Sequence, residues 1–190
     1  GSDPEDDSKS LHSSLGERLS KRAVIGFIIE TSVNSRDVFS DKEGQTPTAL
    51  GLFLSVCCDI YKETENSEDK TAAYRLLESL FKKRSEGYSK YCWGENYEVN
   101  FGTSVIPEST PNIISSTIIG NAFIDAYEIL GEPEFLKIAY SVADFIADDV
   151  YRTPFEQSVC FSFSPEDKIM IDCANIMGAA YLARTVQYSD

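Results

Sequence analysis

The residues best suited to chemistry gather between Tyr91 and Asn121. The stretch opens Tyr91-Cys92-Trp93-Gly94-Glu95-Asn96-Tyr97-Glu98 and closes at Ser109-Thr110-Pro111-Asn112, ahead of a helical pattern. It holds the only tryptophan of the chain. Glu95 and Glu98 are candidate catalytic groups, because acid–base chemistry at a glycosidic bond needs two carboxylates flanking it. Trp93 and Tyr97 offer ring faces that complement the C–H face of a pyranose. Glu166, in Ser164-Pro165-Glu166-Asp167, is a third candidate acid or base. Asn112 and Asn175 are candidate binding amides, able to bond a hydroxyl from helix starts.

Each of these residues also has a structural reading. A tryptophan beside glycine in a long loop can pack beneath it as an anchor. Glu95 and Glu98 suit a solvated loop of an acidic protein. Glu166 and Asp167 suit the first turn of a helix, where the macrodipole favours acids. Asn112 can shape a first turn, and Asn175, between Ala174 and Ile176, needs a buried partner or a pocket. Cys92 has no histidine or basic group near it in sequence and reads as a packing thiol.

Composition narrows the classes. With 17 basic against 31 acidic residues, the net charge of −14 argues against nucleic acid, which demands a basic footprint, and against an anionic membrane surface. The sole histidine is His12, so histidine-based metal and triad chemistry lack material; no metal site and no cofactor is expected. Five cysteines without a C-x-x-C spacing predict no disulfide framework and a reducing, cytoplasmic setting. No apolar run approaches about 20 residues, so no membrane span is expected.

The elements that position these residues are helices. Gly1–Ser10 is acidic and polar and is expected to be disordered; residues 11–190 read as one helical-hairpin domain. Helices are predicted over about Leu11–Thr31, Thr46–Glu63, Ser67–Ser85, Thr110–Leu130, Glu132–Val150 and Ile169–Gln187. Thr46-Pro47 and Thr110-Pro111 read as a cap followed by proline at the first helical position. Ser67 reads as the cap of its own helix, and Lys82-Lys83-Arg84 suits that helix's C-terminus. Long loops remain at Glu86–Ser109 and Tyr151–Lys168, the second with alternation over Cys160–Ser164 that suits a short strand.

An internal repeat orders the helices. Asp59-Ile60-Tyr61 matches Asp125-Ala126-Tyr127, and Ala73-Tyr74 matches Ala139-Tyr140 at the same offset. Recurrence of Asp59 and Asp125 favours a structural role such as inter-helix hydrogen bonding. Stacked hairpins make alternate helices parallel, so the loops Ser40–Gln45, Glu86–Ser109 and Tyr151–Lys168 should cluster at one end. Helix N-termini there would surround a depression suited to a polar or anionic molecule.

Cys92-Trp93-Gly94, Thr110-Pro111-Asn112, Asp125-Ala126-Tyr127, Ala143-Asp144-Phe145-Ile146, Phe163-Ser164-Pro165 and Asn175 follow one another in an order that resembles a known family. They look like the six-hairpin, (α/α)-toroid proteins found with surface-polysaccharide biosynthesis genes, some labelled delta-aminolevulinic acid dehydratase. Relatives on that fold include glycoside hydrolases, polysaccharide lyases, sugar epimerases and the helical domain of glucuronyl C5-epimerase. The resemblance spans about Thr46 to Arg184 and implies an all-α array of about six helices, half of an (α/α)6 toroid. It implies a sugar or polysaccharide ligand, with hydrolysis, elimination or epimerisation as the enzymatic reading. A non-catalytic binding or assembly module of a polysaccharide pathway is the alternative. A half ring exposes apolar surface, so a homo-oligomer or a second half is the expected partner.

Overall fold

The computed structural model describes residues 44–102 and 104–188. Gly1–Ser10, His12, the helix expected over Leu11–Thr31 and most of the first loop lie outside the described residues. The rest is a helical-hairpin array, as expected, with two small β-hairpins set into its long loops.

Helix α1 spans Pro47–Thr64; Thr46 caps it, its hydroxyl accepting from the Ala49 amide at 3.1 Å, and Pro47 occupies the first turn. Helix α2 spans Ser67–Lys82. Its cap is Asn66 and not Ser67, because the Asn66 side chain accepts from the Glu68 amide at 2.9 Å. Helix α3 spans Ile113–Leu130 and is capped by Asn112, not Thr110. Pro111 therefore lies outside the helix, and Thr110 is held instead against Gly94. Gly131, at φ 79°, ends α3 in the left-handed conformation.

Helix α4 spans Pro133–Asp144 and continues as a π-helical turn, Phe145–Asp149, where an uninterrupted α-helix was expected. Helix α5 spans Asp172–Val186, so Glu166 and Asp167 precede the helix and are not its first-turn acids. Strands β1 (Val99–Asn100) and β2 (Val105–Ile106) pair antiparallel in the first long loop. Strands β3 (Arg152–Phe155) and β4 (Ser158–Phe161) form a hairpin in the second, placing the strand two residues earlier than its alternation suggested.

Helices α1, α3 and α5 run parallel, as side-chain contacts that advance together along them show. A Cβ added to Gly51 would lie 2.9 Å from Ile119, and farther along Ser55 donates to Asp125 at 2.6 Å. Between α3 and α5, Ile113 meets Gly178 and, farther along, Arg184 bonds Asp125 at 2.7 Å. Asp125 thus joins all three helices, the structural role its recurrence favoured. Helix α4 runs the other way: the Tyr181 hydroxyl donates to the Ala139 carbonyl at 2.7 Å, while Ile146 lies toward Gly178.

The core fills the space between this row and α2 and α4, with Leu50, Leu54, Leu76, Leu80, Ile119, Phe123 and Phe145 fully buried. Each such side chain contributes roughly 1.5–3 kcal/mol on leaving water. Among the described residues helix α3 alone is long and apolar enough to cross a membrane by length and composition, and more than half of it is buried inside the protein. Its central place explains the apolarity, since α1, α4 and α5 pack around it.

Candidate functional site

The three loops expected at one end do meet there. The Asn96 amide donates to the Gly44 carbonyl at 3.4 Å, Tyr88 donates to Glu166 at 3.0 Å, and the Ile113 amide donates to the Phe163 carbonyl at 3.0 Å. Phe101 and Phe163 close the contact edge to face, 5.2 Å apart.

Beneath them lies an open depression of about 540 Å³ at the N-terminal ends of α1 and α3 and the C-terminal end of α2. Its walls include Lys83, Tyr88, Asn96, Glu108, Thr110 and Glu166. Their donors and acceptors are mixed, as a hydroxyl-rich ligand requires. Burial raises the pKa of the Tyr88 phenol, and the hydrogen bond to Glu166 raises it further. Tyr88 therefore keeps its proton at neutral pH and points it at the Glu166 carboxylate.

Trp93 builds this end of the molecule from below. It is 0% exposed, and its indole donates to the Leu80 carbonyl at 2.8 Å. Its ring lies stacked between Tyr91 and Phe123, with centroids 6.1 and 5.7 Å away. No ring face remains for a sugar, so the anchor reading replaces the stacking platform. Cys92 beside it is buried, which raises its thiol to about 12, with Asp149 adding to the shift against Arg84. It is a packing group.

Glu95 is half-buried between two helix starts. One carboxylate oxygen accepts from the hydroxyls of Thr48 on α1 and Ser115 on α3, the latter at 3.0 Å. Its other oxygen is buried without a hydrogen-bond partner. The placement at two N-termini suits a negative charge and ties α1 to α3. Glu98 and Tyr97 are exposed, Tyr97 at 52%, and neither lines the depression. Glu95 and Glu98 therefore do not flank a common cleft, and the acid pair read from their spacing does not form.

Asn112 is buried, accepting from the Ser115 amide at 2.9 Å and donating to the Ser115 hydroxyl at 3.1 Å. Asn175 accepts from the Phe161 amide at 2.7 Å and donates to the Phe161 and Ile171 carbonyls at 3.0 and 3.1 Å. It binds strand β4 as another strand would. Both amides are used within the fold, so neither faces a ligand as expected.

Of the candidate residues only Glu166 lines the depression. Sequence reasoning missed Tyr88, Glu108, Asn96 and Lys83. Lys83 carried a signal, the basic run ending α2, but that run also suits the helix dipole. Among the described residues no group of three or more His, Cys, Asp or Glu side chains is placed to hold a metal ion.

No protein-family model matches the chain, and no curated protein matches its sequence. Among solved structures, cellobiose 2-epimerase from Bacillus thermoamylovorans B4167 is similar in fold. The TM-score is 0.57 at 15% identity, over 76% of this chain and 41% of that one. The array is a partial helical toroid. It spans less than half the length of that neighbour.

Proposed function

We propose that this protein is a sugar-binding member of the six-hairpin, toroidal architecture. The ligand is one unit of an oligo- or polysaccharide, held in the depression at the starts of α1 and α3. The observation that carries the reading is the meeting of the loops in one polar depression of about 540 Å³, within the range of small-molecule sites. The fold neighbour is named for action on a disaccharide, which supports a sugar as the ligand. The order of the sequence motifs supports a surface polysaccharide as its source.

The second reading is catalytic. Glu166 lies in the depression with Glu108 on its wall, and Tyr88 holds a proton at its carboxylate. In this reading Glu166 acts as the acid or base in hydrolysis, elimination or epimerisation. The alternative of a non-catalytic module keeps the same depression and the same residues.

Calorimetry against a panel of neutral and acidic mono- and oligosaccharides tests the binding. Glu166→Gln and Tyr88→Phe should each weaken binding by about tenfold, consistent with about 1.5 kcal/mol for a bond to a charged group. A panel without a single binder, or binding indifferent to both changes, rejects the reading. Product analysis by NMR then separates enzyme from module: turnover abolished by Glu166→Gln supports catalysis.

A further inference from the structure

The backbone at Ser109 takes a conformation that serine disfavours. Its φ is 62°, in the left-handed region that L side chains rarely adopt. The cause is local. The Thr110 amide donates to the Pro107 carbonyl at 3.3 Å, closing a turn whose third residue is Ser109. A turn with positive φ at that position takes glycine or asparagine by preference. Strain of this kind persists only where the surroundings hold it. Here they do so from three sides. The Ser109 amide donates to the Glu95 carbonyl at 2.6 Å, and the buried Ser85 hydroxyl donates to the Ser109 carbonyl at 2.7 Å. A Cβ added to Gly94 would stand 2.8 Å from the Ser109 carbonyl carbon, so the two stretches of backbone are pressed together.

Two other non-glycine residues with positive φ lie among the described residues, and each stands where an element ends. Glu65 caps α1, and Glu156 turns the β3–β4 hairpin. Ser109 is the one of the three that lines the depression. It is exposed there, and its hydroxyl makes no hydrogen bond to any described residue. Other polar groups of the same wall are already engaged: Tyr88 bonds Glu166, and Arg84 donates to the Tyr88 carbonyl at 2.5 Å. We infer that Ser109 is a ligand-contacting residue that sets specificity, its hydroxyl bonding one hydroxyl of the bound sugar. The inference rests on the sugar-binding reading of the depression. A serine hydroxyl both donates and accepts, which matches a sugar hydroxyl in either sense. A site built around such a bond discriminates against a sugar that lacks the hydroxyl. That gain gives a serine a use at a turn position where glycine fits without strain.

The test separates the strain from the contact. Ser109→Ala removes the hydroxyl and keeps the Cβ, whereas Ser109→Gly removes both. The glycine variant should have a urea midpoint about 0.3–0.5 M above that of the alanine variant, since glycine meets no penalty at this φ. Calorimetry with glucose, glucuronic acid, N-acetylglucosamine and cellobiose then reads the contact. Both variants should bind the best of these about fivefold more weakly than the wild type, despite their different stabilities. Among the monodeoxy forms of that sugar, one should bind wild type and Ser109→Ala with equal affinity, because the bond is already missing from one side. Equal midpoints for the two variants overturn the inference. So does undiminished binding by both, or the absence of such a deoxy sugar. In those cases the sugar-binding reading stands as long as Glu166→Gln and Tyr88→Phe still weaken binding. If none of the four sugars binds the wild type, that reading falls and the inference falls with it.

Discussion

Gly94 lies against Thr110 so closely that a Cβ added to it would stand 2.5 Å from the Thr110 carbonyl carbon. The contact joins the Cys92-Trp93-Gly94 and Thr110-Pro111-Asn112 stretches, and both residues line the depression. Neighbouring bonds hold it in place: the Asn112 amide donates to the Trp93 carbonyl at 3.0 Å, and the Ser109 amide donates to the Glu95 carbonyl at 2.6 Å. The obstructing atoms are backbone and cannot rotate away. Gly94→Ala should therefore cost about 3 kcal/mol, the upper end for overpacking, read as a fall in the urea midpoint. An unchanged midpoint would show that the loop yields freely.

Trp93→Ala removes the largest fully buried side chain and orphans the Leu80 carbonyl. A loss of about 3–5 kcal/mol is expected from denaturant unfolding. Trp93→Phe keeps most of the packing, so whatever fraction stays folded should bind sugar with unchanged affinity. Weakened binding in a folded Phe variant would restore the indole to the ligand site.

Asn175→Ala strips the partner from the Phe161 amide and carbonyl together. The change should cost about 1–3 kcal/mol and speed hydrogen exchange selectively over β3 and β4. Uniformly faster exchange across all helices would argue that Asn175 supports the whole fold and not the hairpin.

Alkaline pH should unfold the protein early. Burial raises the Cys57 thiol to about 12, as it does Cys92. An unfolded thiol titrates at about 8.5. Above that value the unfolded chain binds fewer protons than the folded one, so stability falls as pH rises. The loss approaches about 1.4 kcal/mol per pH unit for each thiol and stops once pH passes the folded value. Cys57→Ala, Cys92→Ala should flatten the slope between pH 9 and 11, measured as the urea midpoint against pH. In the native state Cys173, which is exposed, should react with a thiol reagent well before Cys57, Cys58 and Cys92, which are buried. Equal rates would contradict this burial.

Much of the architecture was written locally. Thr46-Pro47 starts α1, Gly131 ends α3, and the shared register of Asp59 and Asp125 predicted parallel alternate helices. Such signals are legible because caps and hydrophobic periods act within a few residues. The same logic failed at Thr110-Pro111, where a cap and proline in sequence became a loop contact. Asn112 takes the cap through the Ser115 amide, while Gly94, sixteen positions before Thr110, packs against the Thr110 backbone.

The sequence by itself determined the helical hairpins, their parallel row, the acidic surface and the end at which the loops gather. Tertiary structure alone decided which side chains are left for chemistry. Trp93, Asn112 and Asn175 have the types a sugar site uses, yet each spends its polar groups inside the fold. Glu95 lies between two helix starts, while Tyr88 and Glu166 come together from positions 78 apart. A side chain's type states which bonds it can make; the partners brought to it by folding settle which it makes, because a buried polar group left unpaired is costly.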